Sequence, residues 1–253
     1  MSALSSFANV NRRLSEGLVS FWPHRLLKLE ELYSVRAAEA VKRRPGQFVV
    51  DVGGGKSLRY ARLIDGSDAH VVAVDISEEE LAANTDVAET KVADVSKQLP
   101  FADAEVDVLT SSAVLEHLHD VPGFLDEAAR VLKPGGVMVH FFPGRYAAFA
   151  LLNRVVPERL KRQLMFRLYP ETEGICGFPA YYDHCYASAI EKACRSRGFD
   201  VDVKVRYYGS APYFQVFFPL FAVFLAFEVA AWALGLRDLA SQVLVEAHRL
   251  PDA

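Results

Sequence analysis

Acidic residues stand at the ends of predicted strands in a pattern typical of a nucleotide site. The apolar run 48–52 contains Asp51 and leads directly into three glycines at 53–55. A second apolar run, 71–74, ends at Asp75, 22 positions after the first glycine. Glycine lets the backbone pass close to a ligand, and a carboxylate at the second strand's tip can accept hydrogen bonds from both hydroxyls of a ribose. The spacing therefore predicts a nucleotide-type cofactor.

Two further residues refine the kind of nucleotide. A dinucleotide enzyme would use the same geometry, but its glycine pattern needs a third glycine where this chain has Leu58, which weakens the pyrophosphate interpretation. Asp94 ends the third predicted strand, where its carboxylate can accept a hydrogen bond from an adenine amino group. The missing glycine thus weakens the dinucleotide interpretation, and Asp94 is suited to a cofactor that contains adenine.

Alternating strands and helices must position these residues. Strands are predicted at 48–52, 71–74, 91–95, 106–110, 137–142, 199–207 and 242–248. Helices are predicted over 58–63, from the capping residue Ser77 onward, and over 122–132. Strands separated by helices at this spacing form right-handed crossovers, so the sequence predicts an α/β fold with a doubly wound, mostly parallel sheet.

Composition excludes several classes of protein. The chain has 253 residues, 51% of them hydrophobic, and a formal charge of −4, so it is not disordered and has no overall basic field for nucleic acid. The three cysteines show no zinc or disulfide pattern, and we predict no metal. The N-terminus lacks the pattern of a secretory signal, so we expect a cytoplasmic protein. The charge is uneven, because residues 1–47 carry +4 and residues 48–143 carry −10.

Four sequence blocks together resemble class I S-adenosylmethionine-dependent methyltransferases. They are VVDVGGGKS (49–57), VVAVDIS (71–77), the block from ADVSKQLPF to VLEHLHD (93–120), and VLKPGGVMV (131–139). The resemblance covers roughly residues 48–143 and implies a Rossmann-like, seven-stranded sheet whose last strand is antiparallel. It also implies S-adenosylmethionine as the cofactor.

The resemblance implies roles for particular residues. The loop from Asp51 to Gly55 would surround the methionine part of the cofactor, and Asp75 would hold the ribose hydroxyls. Gly53 and Gly54 would contact the cofactor as part of that loop. Ile76 would pack on the adenine, and Asp94 and Val95 would contact its edge. Ser111 and Ser112, just past the fourth strand, would lie near the sulfonium.

Three residues are candidates for proton transfer. His117 lies in VLEHLHD, and Asp183 with His184 lies in YYDHCY. Histidine titrates near neutral pH and can remove a proton from a hydroxyl acceptor. Each also has a structural interpretation, because His117 can serve the start of a helix and Asp183 can cap the helix that follows it.

Two insertions distinguish this chain from the shared core. Residues 144–185 are predicted to form a helical cap that includes a basic amphipathic stretch at 145–170, and residues 214–236 form an apolar insertion whose only charge is Glu228. The apolar insertion leaves one sheet and returns to it, so it should lie in a membrane interface rather than cross it, with Pro219 breaking it near its start. We therefore expect an N-terminal helical segment at 1–47 and a methyltransferase domain at 48–253.

These observations predict an enzyme that methylates an oxygen of a lipid-linked or apolar acceptor at the cytoplasmic membrane surface, with no nucleic-acid partner. One alternative is a soluble small-molecule methyltransferase that uses the apolar insertion for acceptor binding or as a homodimer interface. Another is a non-catalytic scaffold that keeps the cofactor fold without turnover.

Overall fold

The computed structural model describes residues 3–147, 150–151, 179–208 and 214–251, and elements are numbered among these. The strands are β1 (Phe48–Val52), β2 (His70–Asp75), β3 (Glu89–Val92), β4 (Val106–Ser112), β5 (Leu132–Pro143), β6 (Phe199–Arg206) and β7 (Gln242–Arg249). The helices are α1 (Ala3–Val19), α2 (Leu29–Val41), α3 (Glu78–Ala82), α4 (Val121–Val131), α5 (Ala187–Arg195) and α6 (Phe218–Ala233).

The seven strands form one sheet in the order β3-β2-β1-β4-β5-β7-β6. β7 is antiparallel to both of its neighbours, and the other pairs are parallel. Val52 of β1 pairs with Val74 of β2 and with Ser111 of β4, so the carboxyl ends of three neighbouring strands meet at one edge. The predicted doubly wound, mostly parallel fold is confirmed.

The central strands are apolar because both faces of the sheet are covered. Val49, Val50 and Val52 of β1 are completely buried, Val49 on one face and the other two on the opposite face. α2 packs on the face that contains Val49, and α4 and α5 supply residues to the other. The paired faces hold β1 rigidly, and the turn that follows it therefore has a fixed position.

The helix predicted over 58–63 is wrong. Only one turn of 3₁₀-helix, Ala61–Leu63, forms there. The backbone N–H of Leu58 donates instead to Asp86 Oδ2 at 3.0 Å, a contact across 28 residues. This bond holds the segment against the loop between α3 and β3, and a short stretch cannot easily nucleate a regular helix while it is held in this way.

Three strands differ from the prediction by two residues or more, and one of them is β5, which begins at Leu132 rather than at 137. β3 occupies Glu89–Val92 rather than 91–95, so Asp94 lies in the loop beyond the strand. β4 extends through Ser112, and Ser111 and Ser112 therefore lie within it rather than just past it. The extension is stabilised by pairing with β5, since Ser111 lies opposite His140 and Ser112 opposite Phe141.

The two insertions are described to different extents. Of the predicted cap at 144–185, only 144–147, 150–151 and 179–185 fall within the described residues, so most of its basic stretch at 145–170 lies outside them. The apolar insertion forms α6, which contains Pro219 in its first turn. The prediction that Pro219 breaks this segment is wrong, because proline is tolerated at a helix start. Among the described residues, no helix has the length and apolarity needed to cross a membrane.

Candidate functional site

The glycine turn after β1 contacts the segment that follows β4, at the carboxyl edge of the sheet. The N–H groups of Gly53 and Gly54 both donate to the carbonyl of Val74, at 2.7 and 3.2 Å. Gly53 has φ +66°, and a Cβ atom built on it would lie 2.2 Å from Cγ2 of Val114. Only glycine fits, because any side chain would be strained and would collide with the segment that follows β4. The turn and that segment are therefore in direct contact.

Asp75 is held in place by two backbone donors. Its Oδ2 atom accepts from the N–H of Gly55 at 3.1 Å, and its Oδ1 atom accepts from the N–H of Ser77 at 2.9 Å. Each carboxylate oxygen has a further lone pair with which to accept a ligand hydroxyl. Ile76, beside it, is 56% exposed, so an apolar side chain is presented next to the carboxylate.

Asn84 supports the same turn and was missed from the sequence. Its Nδ2 atom donates to the carbonyls of Gly54 and Gly55, at 3.2 and 3.0 Å. The residue lies in the loop after α3, about 30 positions from the glycines. No local pattern marks it, since its role depends on how that loop packs against the turn.

Asp51 belongs to a buried hydrogen-bond network. Thr110 Oγ1 donates to Asp51 Oδ1 at 2.6 Å, and the hydroxyl of Tyr60 lies 2.9 Å from the same Oγ1 atom. Burial raises the pKa of Asp51 to about 7, although the hydrogen bond from Thr110 opposes this. Burial also raises the pKa of Tyr60 well above its usual value. A carboxyl group poised near neutrality can gain a full negative charge when a cation binds beside it.

Asp94 is engaged within its own turn. Its Oδ1 atom accepts from both the N–H and the hydroxyl of Ser96, and Lys97 lies 3.0 Å from Oδ2. The hydrogen bond from the Ser96 hydroxyl, followed by that from Lys97, lowers the pKa of Asp94. Val95 packs against the core and fixes the position of this loop. Contact of Asp94 and Val95 with an adenine edge stays a prediction.

The two serines of β4 differ in their partners. The hydroxyl of Ser111 is fully buried and lies 2.7 Å from Nδ1 of His140, whose pKa burial lowers to about 3. The Oγ atom of Ser112 is buried without a hydrogen-bond partner among the described residues. Ser112 therefore has hydrogen-bonding capacity left for a ligand, whereas the hydroxyl of Ser111 is already used by histidine.

The segment after β4 is tied to residues more than sixty positions away. The carbonyl of Glu116 accepts from the N–H groups of Tyr181 and Tyr182, at 2.7 and 3.0 Å. His117 contributes a second link, because its Nδ1 atom donates to the carbonyl of Pro179 at 2.8 Å. Since Val114 already contacts the glycine turn, these bonds connect segment 179–184 to the same edge of the sheet.

Asp183 and His184 form a hydrogen-bonded pair in that segment. Asp183 Oδ1 lies 2.8 Å from His184 Nδ1, and Asp183 Oδ2 accepts from the N–H of Val121 at 3.1 Å. The carboxylate therefore binds the start of α4 rather than capping the helix that follows it, so the capping alternative considered for Asp183 is wrong. A carboxylate accepts the proton on Nδ1 and leaves Nε2 of His184 as the basic nitrogen.

The donors and acceptors at this edge fit a nucleoside cofactor with a cationic amino acid tail. Asp75 has spare lone pairs for hydroxyls, Ile76 offers an apolar surface, and buried Asp51 can gain a charge beside an ammonium group. The unpartnered hydroxyl of Ser112 adds a polar atom at the same edge. Within the described part of the chain, no group of three or more His, Cys, Asp or Glu residues is placed to hold a metal ion.

The fold and site together define an α/β protein whose sheet presents, at its carboxyl edge, groups suited to a nucleoside cofactor. Residues 50–140 match the family model of a methyltransferase domain. A solved S-adenosylmethionine-dependent methyltransferase from Mesorhizobium loti has a similar fold, with a TM-score of 0.56 at 20% identity, covering 87% of this chain and 98% of that one.

Curated relatives share part of the sequence. A demethylmenaquinone methyltransferase from Corynebacterium glutamicum (strain R) is 37% identical over 107 residues, or 42% of this chain and 46% of the relative. A ubiquinone/menaquinone biosynthesis C-methyltransferase, UbiE, from Rubrivivax gelatinosus is 36% identical over 126 residues, or 49% and 47%. The chain thus spans about half the length of these relatives.

The resemblance to class I S-adenosylmethionine-dependent methyltransferases is confirmed by the domain match, the relatives and the strand order. The chain carries a methyltransferase domain of this class, and S-adenosylmethionine is the cofactor of the class.

Proposed function

We propose that this protein transfers a methyl group from S-adenosylmethionine to an apolar acceptor whose aromatic ring carries a hydroxyl group. The observation that carries the proposal is the Asp183–His184 pair, which is linked through Glu116 and Val114 to the glycine turn. A base at this edge suits an acceptor that becomes nucleophilic when it loses a proton.

The cofactor would be held by the residues at the carboxyl ends of β1 and β2. We propose that Asp75 accepts the ribose hydroxyls, that Ile76 packs on the adenine, and that Asp51 binds the amino group of the methionine part. S-adenosylmethionine, when bound, supplies an electrophilic methyl group on a positively charged sulfur. Much of the rate can then come from holding the acceptor in line with that group.

His184 is the residue we propose as the base. Asp183 fixes its ring by accepting the Nδ1 proton, and the N–H of Val121 in turn fixes Asp183. Nε2 can then take the proton of an acceptor hydroxyl, which leaves negative charge on the acceptor oxygen and the conjugated ring. His117 is the weaker candidate, because its Nδ1 atom donates to a backbone carbonyl and links two chain segments.

The names of the relatives favour a quinone-type ring as the acceptor. One is a demethylmenaquinone methyltransferase and the other a C-methyltransferase of quinone biosynthesis. We therefore propose the ring carbon beside the hydroxyl as the methylated atom, in place of the oxygen expected from the sequence. This carbon would bond the methyl group as the bond from methyl to sulfur breaks and S-adenosylhomocysteine leaves, and it would then lose its own hydrogen as a proton to restore the aromatic ring. Such acceptors carry long apolar tails, so the reaction would take place at the membrane surface.

The test is methyl transfer from radiolabelled S-adenosylmethionine to a demethylated quinol, with His184→Asn as the variant. We expect kcat to fall by about 10²- to 10⁴-fold, the usual contribution of a general base, while calorimetric affinity for S-adenosylmethionine is retained. His70→Asn is a matched control, since His70 has similar exposure but lies at the start of β2, away from the carboxyl edge.

The outcomes separate the parts of the proposal. An unchanged kcat in His184→Asn would rule out His184 as the base. Absence of transfer to any quinol by the unaltered protein would reject the acceptor class. Product analysis by mass spectrometry and NMR then identifies the methylated atom, and a methyl ether would restore the oxygen expected from the sequence.

A further inference from the structure

The N-terminal helix α1 buries two polar side chains and exposes a stripe of apolar ones beside its charged residues. Asn11 and Ser15 are buried, with 7% and 0% exposure. Although Val19 is buried, four large apolar side chains of the helix form an outward stripe at helical spacing. They are Phe7, Val10, Leu14 and Leu18, with exposures of 53%, 58%, 51% and 37%. A helix in contact with water normally buries such a stripe and exposes its polar residues.

Helix α6 shows a similar arrangement. Its only charged residue, Glu228, is fully buried and accepts a hydrogen bond from the hydroxyl of Ser241. Its exposed residues are apolar: Pro219, Val223, Ala226, Ala230, Trp232 and Ala233. A helix that is apolar on its outer face as well as its inner face is typical of contact with lipid or another protein.

The two helices pack against each other. Near the start of α6, Asn11 Oδ1 accepts from the N–H of Phe218 at 2.8 Å. Trp22 lies three residues beyond the end of α1, and Trp232 lies in the last turn of α6. Their rings meet edge to face, with centroids 5.3 Å apart. Their exposed apolar residues therefore belong to two adjoining helices, which we call the α1–α6 surface. Neither helix lies within the matched methyltransferase region at 50–140.

We propose that the α1–α6 surface binds a lipid bilayer that contains anionic lipids. Charge supports this occupant, because α1 carries Arg12 and Arg13 against one acidic residue, Glu16, in a chain whose total charge is −4. Arg13 is exposed on α1 beside the outward stripe and can meet anionic headgroups. A second copy packed through the same stripe about a twofold axis would bring the positive charges of the two α1 helices close together. Their repulsion would oppose such a dimer.

The topology fits a surface that lies on the bilayer. Arg206 at the end of β6 pairs with Gln242 at the start of β7, so the insertion that contains α6 leaves and re-enters the sheet at one point. Its two ends are therefore on the same side of any membrane it contacts. The inference rests on the proposed function in one respect, since an apolar acceptor would reach the site from that membrane.

The test is sedimentation of the full chain with vesicles of phosphatidylcholine alone and of phosphatidylcholine mixed with phosphatidylglycerol. We expect binding to the mixed vesicles, and partitioning at least about tenfold weaker for the triple variant Phe7→Ser, Leu14→Ser, Leu18→Ser. Leu63→Ser is the matched control, because Leu63 is 43% exposed and lies on the turn that packs with α2. Arg13→Glu should weaken binding to the mixed vesicles and leave phosphatidylcholine binding unchanged.

Several results would overturn the proposal. These are failure of the unaltered chain to bind mixed vesicles, or equal binding by the triple variant. A dimer in light scattering that the triple variant makes monomeric would assign the surface to contact between copies. Calorimetry with S-adenosylmethionine on the same samples separates the two proposals, because it reports on the cofactor site whether or not the vesicles bind.

Discussion

Replacing Glu116 with glutamine should make the protein more stable, by an amount that grows with pH. Glu116 is almost fully buried, and its Oε2 atom has no hydrogen-bond partner among the described residues. Burial raises its pKa from 4.5 to about 8 in the folded protein. The unfolded chain ionises near the lower value, so between these two pH values the folded state holds a proton that the unfolded state has released.

The sign and size of the effect follow from that difference. The contribution of Glu116 to stability should decrease as pH rises from about 4.5 to about 8, by about 1.4 kcal/mol per pH unit, because its ionisation favours the unfolded chain. Above about pH 8 the loss is complete, on the order of 5 kcal/mol. Glutamine mimics the neutral carboxyl group and cannot ionise. Glu116→Gln should therefore match the natural protein near pH 5 and exceed its stability by about 3 kcal/mol near pH 7.

The assay is urea unfolding followed by circular dichroism at about pH 5, 7 and 9. Glu127→Gln is the control of opposite sign. The hydrogen bond from Arg130 lowers the pKa of Glu127, so its charge stabilises the fold and its removal should destabilise the protein at neutral pH. A stability difference between natural protein and Glu116→Gln that stays constant across this range would refute the reasoning.

Two further predictions concern the cofactor edge. Because burial raises the pKa of Asp51 to about 7, calorimetric affinity for S-adenosylmethionine should fall as pH drops from about 8 to about 6, and Asp51→Asn should remove that dependence. A slope retained in Asp51→Asn would assign it to another group. Gly53→Ala should destabilise the protein by about 2–4 kcal/mol in urea unfolding, since its Cβ meets Val114 at a positive φ. Val114→Ala should recover part of this loss, and no recovery would contradict the collision.

Local sequence was sufficient for the first strand and for the start of α3. β1 occupies the predicted residues 48–52, because an apolar run bounded by glycines forms a buried strand. Ser77 caps α3 as predicted, with its hydroxyl accepting from the N–H of Glu80. These features depend on neighbouring residues, and the sequence therefore predicts them.

Elsewhere, distant contacts overrode the local pattern. The segment 58–63 has helical spacing, but the bond from Leu58 to Asp86 holds it in another conformation. β4 continues through Ser112 because β5 is there to pair with it. Local propensities are worth less than such tertiary contacts when a segment is only one or two turns long.

The order of the strands, the glycine turn and the acidic residue at the end of β2 could be predicted from the sequence, because each follows from patterns within a few residues. The folded chain alone reveals that Asp183 binds the start of α4 and orients His184, and that α1 buries Asn11 while exposing its apolar stripe. Hydrogen-bond partners and burial depend on which distant segments meet, and residue spacing along one segment does not specify them.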